Sequence, residues 1–116
     1  MAVNMTVGKS AVTVFKPLAL LKNSTLVEAS PQTGRTHQIR VHLQHLQHPI
    51  VGDELYGYQG SDKNFSPPRI LLHAFEIEFL HPITNQYIAI KAPLPLDFKQ
   101  ALENLQIDPK ILSFIT

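Results

Sequence analysis

The sequence predicts an α+β fold: a mainly antiparallel or mixed sheet with a few short helices. Two segments rich in β-branched residues lie close together near the N-terminus, and a later stretch alternates apolar and polar residues before returning as a hairpin. Two other segments repeat apolar residues at helical spacing. Because strands and helices do not alternate regularly, a doubly wound parallel sheet is not favoured. We expect a single domain over residues 1–116.

The strands are predicted from residues that alternate along the chain. Residues 11–16 and 25–29 form the first pair, and Pro17 is expected to end the earlier strand. Residues 70–80 alternate Phe and Ile with Glu, which predicts a strand with one face buried and the other in solvent. Residues 87–92 return as the second strand of a hairpin.

Residues 36–47 predict the main helix, with an apolar stripe formed by Ile39, Leu43 and Leu46. Thr36 can supply the N-cap hydroxyl, and Gly34 allows a sharp turn before it. Pro49 is expected to end the helix. A second amphipathic helix, capped by Asp97, is predicted nearer the C-terminus.

The composition excludes several classes of protein. The 116 residues include no Cys, which rules out disulfides, thiolate metal sites and a cysteine nucleophile. The formal net charge of +1 rules out a polycationic tail. No apolar run approaches the ~20 residues that a membrane helix needs, so we expect no membrane partner. These features favour a cytoplasmic protein.

One segment is more basic than the rest of the chain. Residues 30–49 contain two Arg, four His and no acidic residue, which is a weak indication of an anionic partner such as RNA or phosphate. The alternative is an ordinary solvated helix face. His42, His45 and His48 recur every third residue, but neither Cys nor an acidic residue lies near them, so no metal site is expected.

Arg40 is the residue of this helix with the clearest chemical potential. On a helical wheel it lies away from the apolar stripe, beside polar side chains. A guanidinium there suits a carboxylate from another segment or a phosphate, and a solvated surface Arg is the alternative. Arg35 follows Gly34 near the helix N-terminus, where amide groups favour anions.

The run TGRTHQIRVHLQHLQHPIVGDELYG, Thr33 to Gly57, resembles a signature of the large-subunit-type (RluA-like) pseudouridine synthases. Upstream, GKSAVTVF and TLVEASPQTG are similar to the segments that lead into that signature. Downstream, RILLHAFEIEFLHPITNQ and KAPLPLDF are similar to those that follow it, in the same order. The resemblance extends from about Gly8 to Leu105.

This resemblance implies an isomerase that converts uridine in rRNA or tRNA to pseudouridine without a metal or an organic cofactor. It implies that Arg40 pairs with the catalytic Asp of the family. Leu72 is expected to pack under the uracil. The other residues expected to line the cleft and bind RNA are Arg35, Thr36, His37 and Gln38.

The chain also departs from the family pattern. The family carries its catalytic Asp in an HRLDxxTSG-like motif that is absent here, so the chain resembles the C-terminal half of a catalytic domain and is expected to be inactive alone. Asp53 and Tyr56 fall in a loop whose role in the family looks structural, and Gln47 stands where the family usually has Gly. The alternatives are a non-catalytic RNA-binding module and an oligomerising remnant. A homo-oligomer covering the exposed half-cleft is expected.

Overall fold

The computed structural model describes residues 3–6, 11–60 and 65–116, and it confirms the α+β class. An antiparallel sheet in the order β1-β2-β3 contains Val3–Thr6, Val12–Leu21 and Ser24–Pro31. A separate antiparallel pair contains β4, Glu76–Leu80, and β5, Tyr87–Lys91. The helices are α1, Gln38–His45, α2, Leu96–Asn104, and α3, Pro109–Ile115. None of the helices in the described ranges is both long and apolar enough to cross a membrane.

Strand β2 is longer than the sequence predicts, because it continues through Pro17 to Leu21. The register with β3 shifts between Pro17 and Ala19, which is a β-bulge. On the other side, β1 pairs with β2 only as far as Phe15. Proline is tolerated at bulges and where no neighbouring strand needs its missing N–H. The prediction that Pro17 ends the strand is therefore wrong.

The two ends of β2 carry different parts of the molecule. At its C-terminal end, Ala19 packs with Phe98, Leu102 and Ile107 in the hydrophobic core, which joins the sheet to α2. At its N-terminal end, Thr13 is fully buried and accepts a hydrogen bond from a side chain of α1. The sheet thus places the apolar core at one end and the polar residues of α1 at the other.

The segment before β4 is not a strand, although residues 70–80 were predicted as one. Arg69 Nη1 donates to the carbonyl oxygens of Ile70 at 3.0 Å and Leu72 at 3.2 Å. The Leu71 amide donates to the Val51 carbonyl at 2.9 Å. Because these backbone groups have partners elsewhere, regular pairing begins only at Glu76.

The β4–β5 hairpin is exposed on both faces, so the expected buried face is not found in the described part of the chain. Ile77 and Phe79 lie on one face, opposite Ile90 and Ile88 of β5. Ile77 is 59% exposed and Ile90 is 52% exposed. On the other face, the Tyr87 hydroxyl donates to Glu78, which raises the pKa of Tyr87.

Helix α1 is shorter than predicted at its N-terminal end. Thr36 does not cap it: the N-cap is His37, which makes no side-chain capping bond. His37 has a φ of 51°, so the left-handed residue of this turn is His37 and not Gly34. The buried residues of α1 are Gln38 and His42, whereas Leu46, part of the predicted stripe, is 39% exposed.

Helices α1 and α2 end in the same way. After α1, the Gln47 amide donates to Gln44 O and the His48 amide to Leu43 O, and Gln47 has a φ of 64°. After α2, the amides of Gln106 and Ile107 donate to the carbonyls of Glu103 and Leu102, and Gln106 has a φ of 65°. Both are Schellman motifs with glutamine at the position that usually favours glycine.

The α2 N-terminus also differs from the prediction. Its N-cap is Pro95, without a side-chain bond, and Asp97 lies in the first turn. The Asp97 carboxylate accepts from Arg69 Nε at 2.9 Å and from Nη2 at 3.5 Å. Asp97 therefore pairs with an arginine instead of capping the helix.

Candidate active site around Arg40

The side chain of Gln38 fixes α1 to the start of β2. Its Nε2 donates to Val12 O at 2.7 Å and to Thr13 Oγ1 at 2.9 Å. Its Oε1 accepts from Thr33 Oγ1 at 2.6 Å and from the Arg35 amide at 3.1 Å. A buried amide is stable only when its donors and acceptors have partners, and Gln38 meets that condition. Gln38 therefore determines where α1 lies on the sheet.

Two residues farther along α1, Arg40 forms an ion pair with Asp53. Arg40 Nε donates to Asp53 Oδ2 at 2.9 Å, and Nη2 donates to Oδ1 at 2.8 Å. The Asp53 side chain is 1% exposed and that of Arg40 is 22% exposed. The hydrogen bonds from Arg40 hold the pKa of Asp53 below its usual range, although burial acts in the opposite direction. Asp53 is therefore a carboxylate at neutral pH, and Arg40 is held in one orientation.

Tyr56 packs against the same guanidinium. The Arg40 Cζ atom lies 4.8 Å from the centre of the Tyr56 ring, which is a cation–π contact. The Tyr56 hydroxyl lies 3.0 Å from His37 Nδ1, and the His37 and Tyr56 rings meet edge to face. Tyr56 therefore contacts two of the basic side chains that were predicted to belong to the site, Arg40 and His37.

A short loop brings Asp53 and Tyr56 to α1. Residues Glu54–Tyr56 form a 3-10 turn that begins after Asp53 and ends at Gly57, whose φ is 105°. Gly52 has a φ of 89°, and a Cβ at that position would lie 2.3 Å from the Arg69 carbonyl oxygen. Only glycine fits such an approach. The loop is thus held between α1 and the segment that contains Leu72.

The structure brings some of the predicted site residues together. Arg35, Thr36 and His37 are exposed at the start of α1. Gln38 is 6% exposed and its amide is fully used inside the chain. Leu72 is half-buried in the segment joined to the loop through Leu71. Gln38 thus holds the start of α1 on the sheet, whereas the three exposed residues lie at the surface.

The partner that Arg40 has within the chain, Asp53, was not predicted from the sequence. An Asp from outside the chain was expected, and the Asp53 loop was given a structural role. Asp53 lies 13 positions after Arg40 in the sequence, beyond the end of α1. One signal was present: Asp53 is the acidic residue that follows the basic segment most closely.

The histidines of α1 do not form a metal site. In the described ranges, no group of three or more His, Cys, Asp or Glu side chains is arranged to hold a metal ion. His42 is 1% exposed, and neither of its ring nitrogens has a hydrogen-bond partner. Burial lowers the pKa of His42, and the neighbouring His45 lowers it further, so the ring is neutral at pH 7.

Comparison with known proteins identifies relatives along most of the chain. A family model described as RNA pseudouridylate synthase matches residues 1–45. The ribosomal large subunit pseudouridine synthase C of Vibrio cholerae is 44% identical over 102 residues, which cover 85% of this chain and 32% of that protein. The tRNA pseudouridine synthase C of Vibrio vulnificus is 38% identical over 121 residues, covering 91% of this chain and 49% of the relative.

A third relative gives the same result. The ribosomal large subunit pseudouridine synthase D of Haemophilus ducreyi is 40% identical over 111 residues, covering 87% of this chain and 34% of the relative. The chain spans about a third to a half of the length of these relatives. The resemblance expected from the signature around Arg40 is confirmed: by sequence, the chain is similar to RNA pseudouridine synthases along most of its length.

Proposed function

We propose that this chain supplies the arginine-bearing part of an RNA pseudouridine synthase acting on rRNA or tRNA in the cytoplasm. In that reaction the N1–C1′ bond of uridine breaks and a C5–C1′ bond forms. The C5 proton leaves to water, and N1 gains a proton. Arg40 pairs with a catalytic Asp from another part of the enzyme, and the chain alone is inactive.

The observation that carries this proposal is the way Arg40 is held. Asp53 accepts bonds from Nε and Nη2, and Nη1 has no hydrogen-bond partner among the described residues. Guanidinium groups commonly bind two acceptors along different edges. Since the Arg40 side chain is 22% exposed, its Nη1 can serve a second carboxylate while Asp53 stays in place.

The surface of the chain supports a role within a larger catalytic unit. The accessible area is 8338 Å², whereas a compact monomer of this mass exposes about 6,300 Å². The radius of gyration is 15.3 Å, compared with about 13.4 Å for a compact domain of this length. Both differences agree with a segment that packs against further protein in the working enzyme.

Complementation tests the proposal directly. The chain is expressed alone and together with the part of the Vibrio cholerae relative that lies outside the match. Release of tritium from RNA containing [5-³H]uridine is then measured, because the C5 hydrogen leaves during isomerisation. We expect no release from the chain alone and measurable release from the complemented pair.

Two variants make the test specific to Arg40. The Arg40→Lys variant keeps the charge but loses the fork geometry, so complemented turnover should fall strongly. The Lys110→Ala variant removes an exposed cation of α3 and should leave turnover unchanged. RNA binding without turnover by the complemented pair would instead favour the non-catalytic RNA-binding module. A pair that neither binds RNA nor turns it over would overturn the proposal.

The exposed hairpin supports a second proposal, that the isolated chain self-associates through β4 and β5. Ile77 and Ile90 lie opposite each other on one exposed face, and such faces promote association. Light scattering over a concentration series should show a dimer or a larger assembly. Ile77→Lys should shift it to monomer, whereas Ile83→Lys, in the hairpin turn, should not. A wild-type chain that is monomeric at every concentration would contradict this proposal.

A further inference from the structure

Tyr56 contacts two basic side chains of the candidate site, Arg40 and His37, at different parts of its ring. Arg40 lies over the ring face, with Cζ 4.8 Å from the ring centre. His37 meets the hydroxyl, with its Nδ1 atom 3.0 Å from the Tyr56 oxygen. One side chain from the loop therefore contacts a guanidinium and an imidazole that both belong to the start of α1.

The bond to the hydroxyl fixes which nitrogen of His37 carries a proton. When the imidazole is neutral, the phenol is the better donor and the imidazole nitrogen the better acceptor, so the Tyr56 O–H donates to Nδ1. Nε2 then carries the hydrogen. When the imidazole is protonated, Nδ1–H donates to the phenol oxygen and Nε2 still carries a hydrogen. His37 thus has an Nε2–H donor in both states.

The surroundings of His37 agree with such a role. His37 is exposed, and its Nε2 atom has no hydrogen-bond partner among the described residues. Its backbone has a φ of 51°, a conformation that a non-glycine residue keeps only when its surroundings hold it. Asp53, whose pKa is lowered in part by His37, is itself paired with Arg40.

We infer that Tyr56 is a positioning residue, which holds His37 as an Nε2–H donor so that His37 can bind an anionic oxygen of RNA. This inference rests on the proposed RNA-directed function. Tyr56 itself does not contact the RNA. A hydroxyl that can donate or accept serves this purpose, whereas a phenylalanine ring would preserve only the contact with Arg40.

The first experiment needs no RNA. In the ¹⁵N-labelled chain, the ring nitrogen shifts of His37 report which nitrogen carries the proton. We expect the Nε2–H tautomer in the wild type and a mixture of tautomers in Tyr56→Phe. Tyr58→Phe is the matched control, because Tyr58 lies in the same loop and has no bond to His37, and it should leave the His37 shifts unchanged. An Nδ1–H tautomer in the neutral wild type would overturn the inference.

The second experiment measures binding of a fluorescent, uridine-rich, single-stranded RNA at fixed salt. Loss of one hydrogen-bonded donor should weaken binding about two- to tenfold in Tyr56→Phe. If Tyr56 acts through His37, then Tyr56→Phe should have no further effect in a His37→Ala background. Additive effects of the two changes would overturn the positioning role.

The two experiments separate this inference from the function on which it rests. If neither the wild-type chain nor its complemented pair binds RNA, the proposed RNA-directed function fails, and the ring nitrogen shifts still decide whether Tyr56 sets the His37 tautomer. If the chain binds RNA and Tyr56→Phe binds equally well, the function stands and the role of Tyr56 is overturned.

Discussion

The region around α1, residues 33–57, and the region around α2, residues 69–107, contain matching features in different surroundings. Each has an arginine–aspartate pair and a histidine that is not fully exposed, His42 in the first region and His73 in the second. In each, the helix is followed by a glutamine whose backbone is in the left-handed conformation. In the α2 region the buried residues are apolar: Phe98, Ala101, Leu102, Leu105 and Ile107. In the α1 region the most buried side chains include the polar Gln38, His42 and Asp53.

This difference indicates what each region does for the molecule. Burial of apolar side chains is the main source of folding free energy, and the α2 region provides it. Buried polar groups stabilise less, but when fully bonded they hold neighbouring groups in fixed positions. The α1 region therefore gives up some stability to fix the orientation of Arg40. Three comparisons between the regions test this interpretation.

The largest effect is expected from removing the acid of each ion pair. Asp53→Asn should lower the free energy of unfolding by about 3 kcal/mol, because the Asp53 carboxylate is 1% exposed and Arg40 would lose its partner. Asp97→Asn is the matched change, and it should cost much less, because the Asp97 carboxylate is 44% exposed and well screened. Urea denaturation of both variants measures the difference, and equal losses would remove the proposed contrast.

A smaller effect is expected from pH, through His42. The pKa of His42 is lowered by burial, so on acidification the unfolded chain takes up a proton that the folded chain resists. The stability that this group provides is complete above its unfolded pKa near 6.5 and decreases as pH falls below it, by at most about 1.4 kcal/mol per pH unit. The pKa of Asp53 is also lowered, but the stability that Asp53 provides decreases only in a separate pH range, below about pH 3.9.

Urea denaturation between pH 7 and pH 5 measures how steeply the free energy of unfolding decreases as the pH falls. His42→Leu should make this dependence on pH less steep. His45→Gln should leave most of it, because His45 is the lesser cause of the lowered pKa. In the α2 region, His73 Nε2 lies 2.9 Å from the Ala92 carbonyl oxygen, so its ring, unlike that of His42, has a partner. A His42→Leu variant with the wild-type slope would contradict the assignment.

The smallest effect is expected where the two regions are alike. Gln47→Gly and Gln106→Gly each relieve a left-handed conformation at a Schellman motif. Each should raise the free energy of unfolding by about 0.5–1 kcal/mol, after allowing for the greater entropy of glycine in the unfolded chain. Thermal denaturation of the two single variants and the double variant tests this. A gain at only one position would show that the two helix ends are not equivalent.

Features that depend on nearby residues could be predicted from the sequence. The β4–β5 hairpin and the presence of α1 follow from periodicity. The burial of Gln38 could not be predicted, because its amide bonds to Val12, 26 positions earlier. The apolar stripe predicted for α1 is found only in part: Ile39 and Leu43 are half-buried, whereas Leu46 is 39% exposed.

The candidate site was predicted in part. A carboxylate from another segment was one of the partners expected for Arg40, but its identity as Asp53 depends on the path of a loop that no local pattern specifies. The role of Tyr56 depends on two contacts that exist only after that loop has folded. The pairing of Arg40 with a catalytic Asp stays a prediction. So do the RNA contacts of Arg35, Thr36, His37, Gln38 and Leu72.

Gly52 joins the two regions. Its backbone lies so close to that of Arg69 that a Cβ would be 2.3 Å from the Arg69 carbonyl oxygen. Asp53 follows Gly52 directly, and Arg69 is the partner of Asp97. A single methyl group added at position 52 would therefore push apart the two backbone segments that hold Asp53 and Arg69. Both aspartate carboxylates would be disturbed, although neither would be changed chemically.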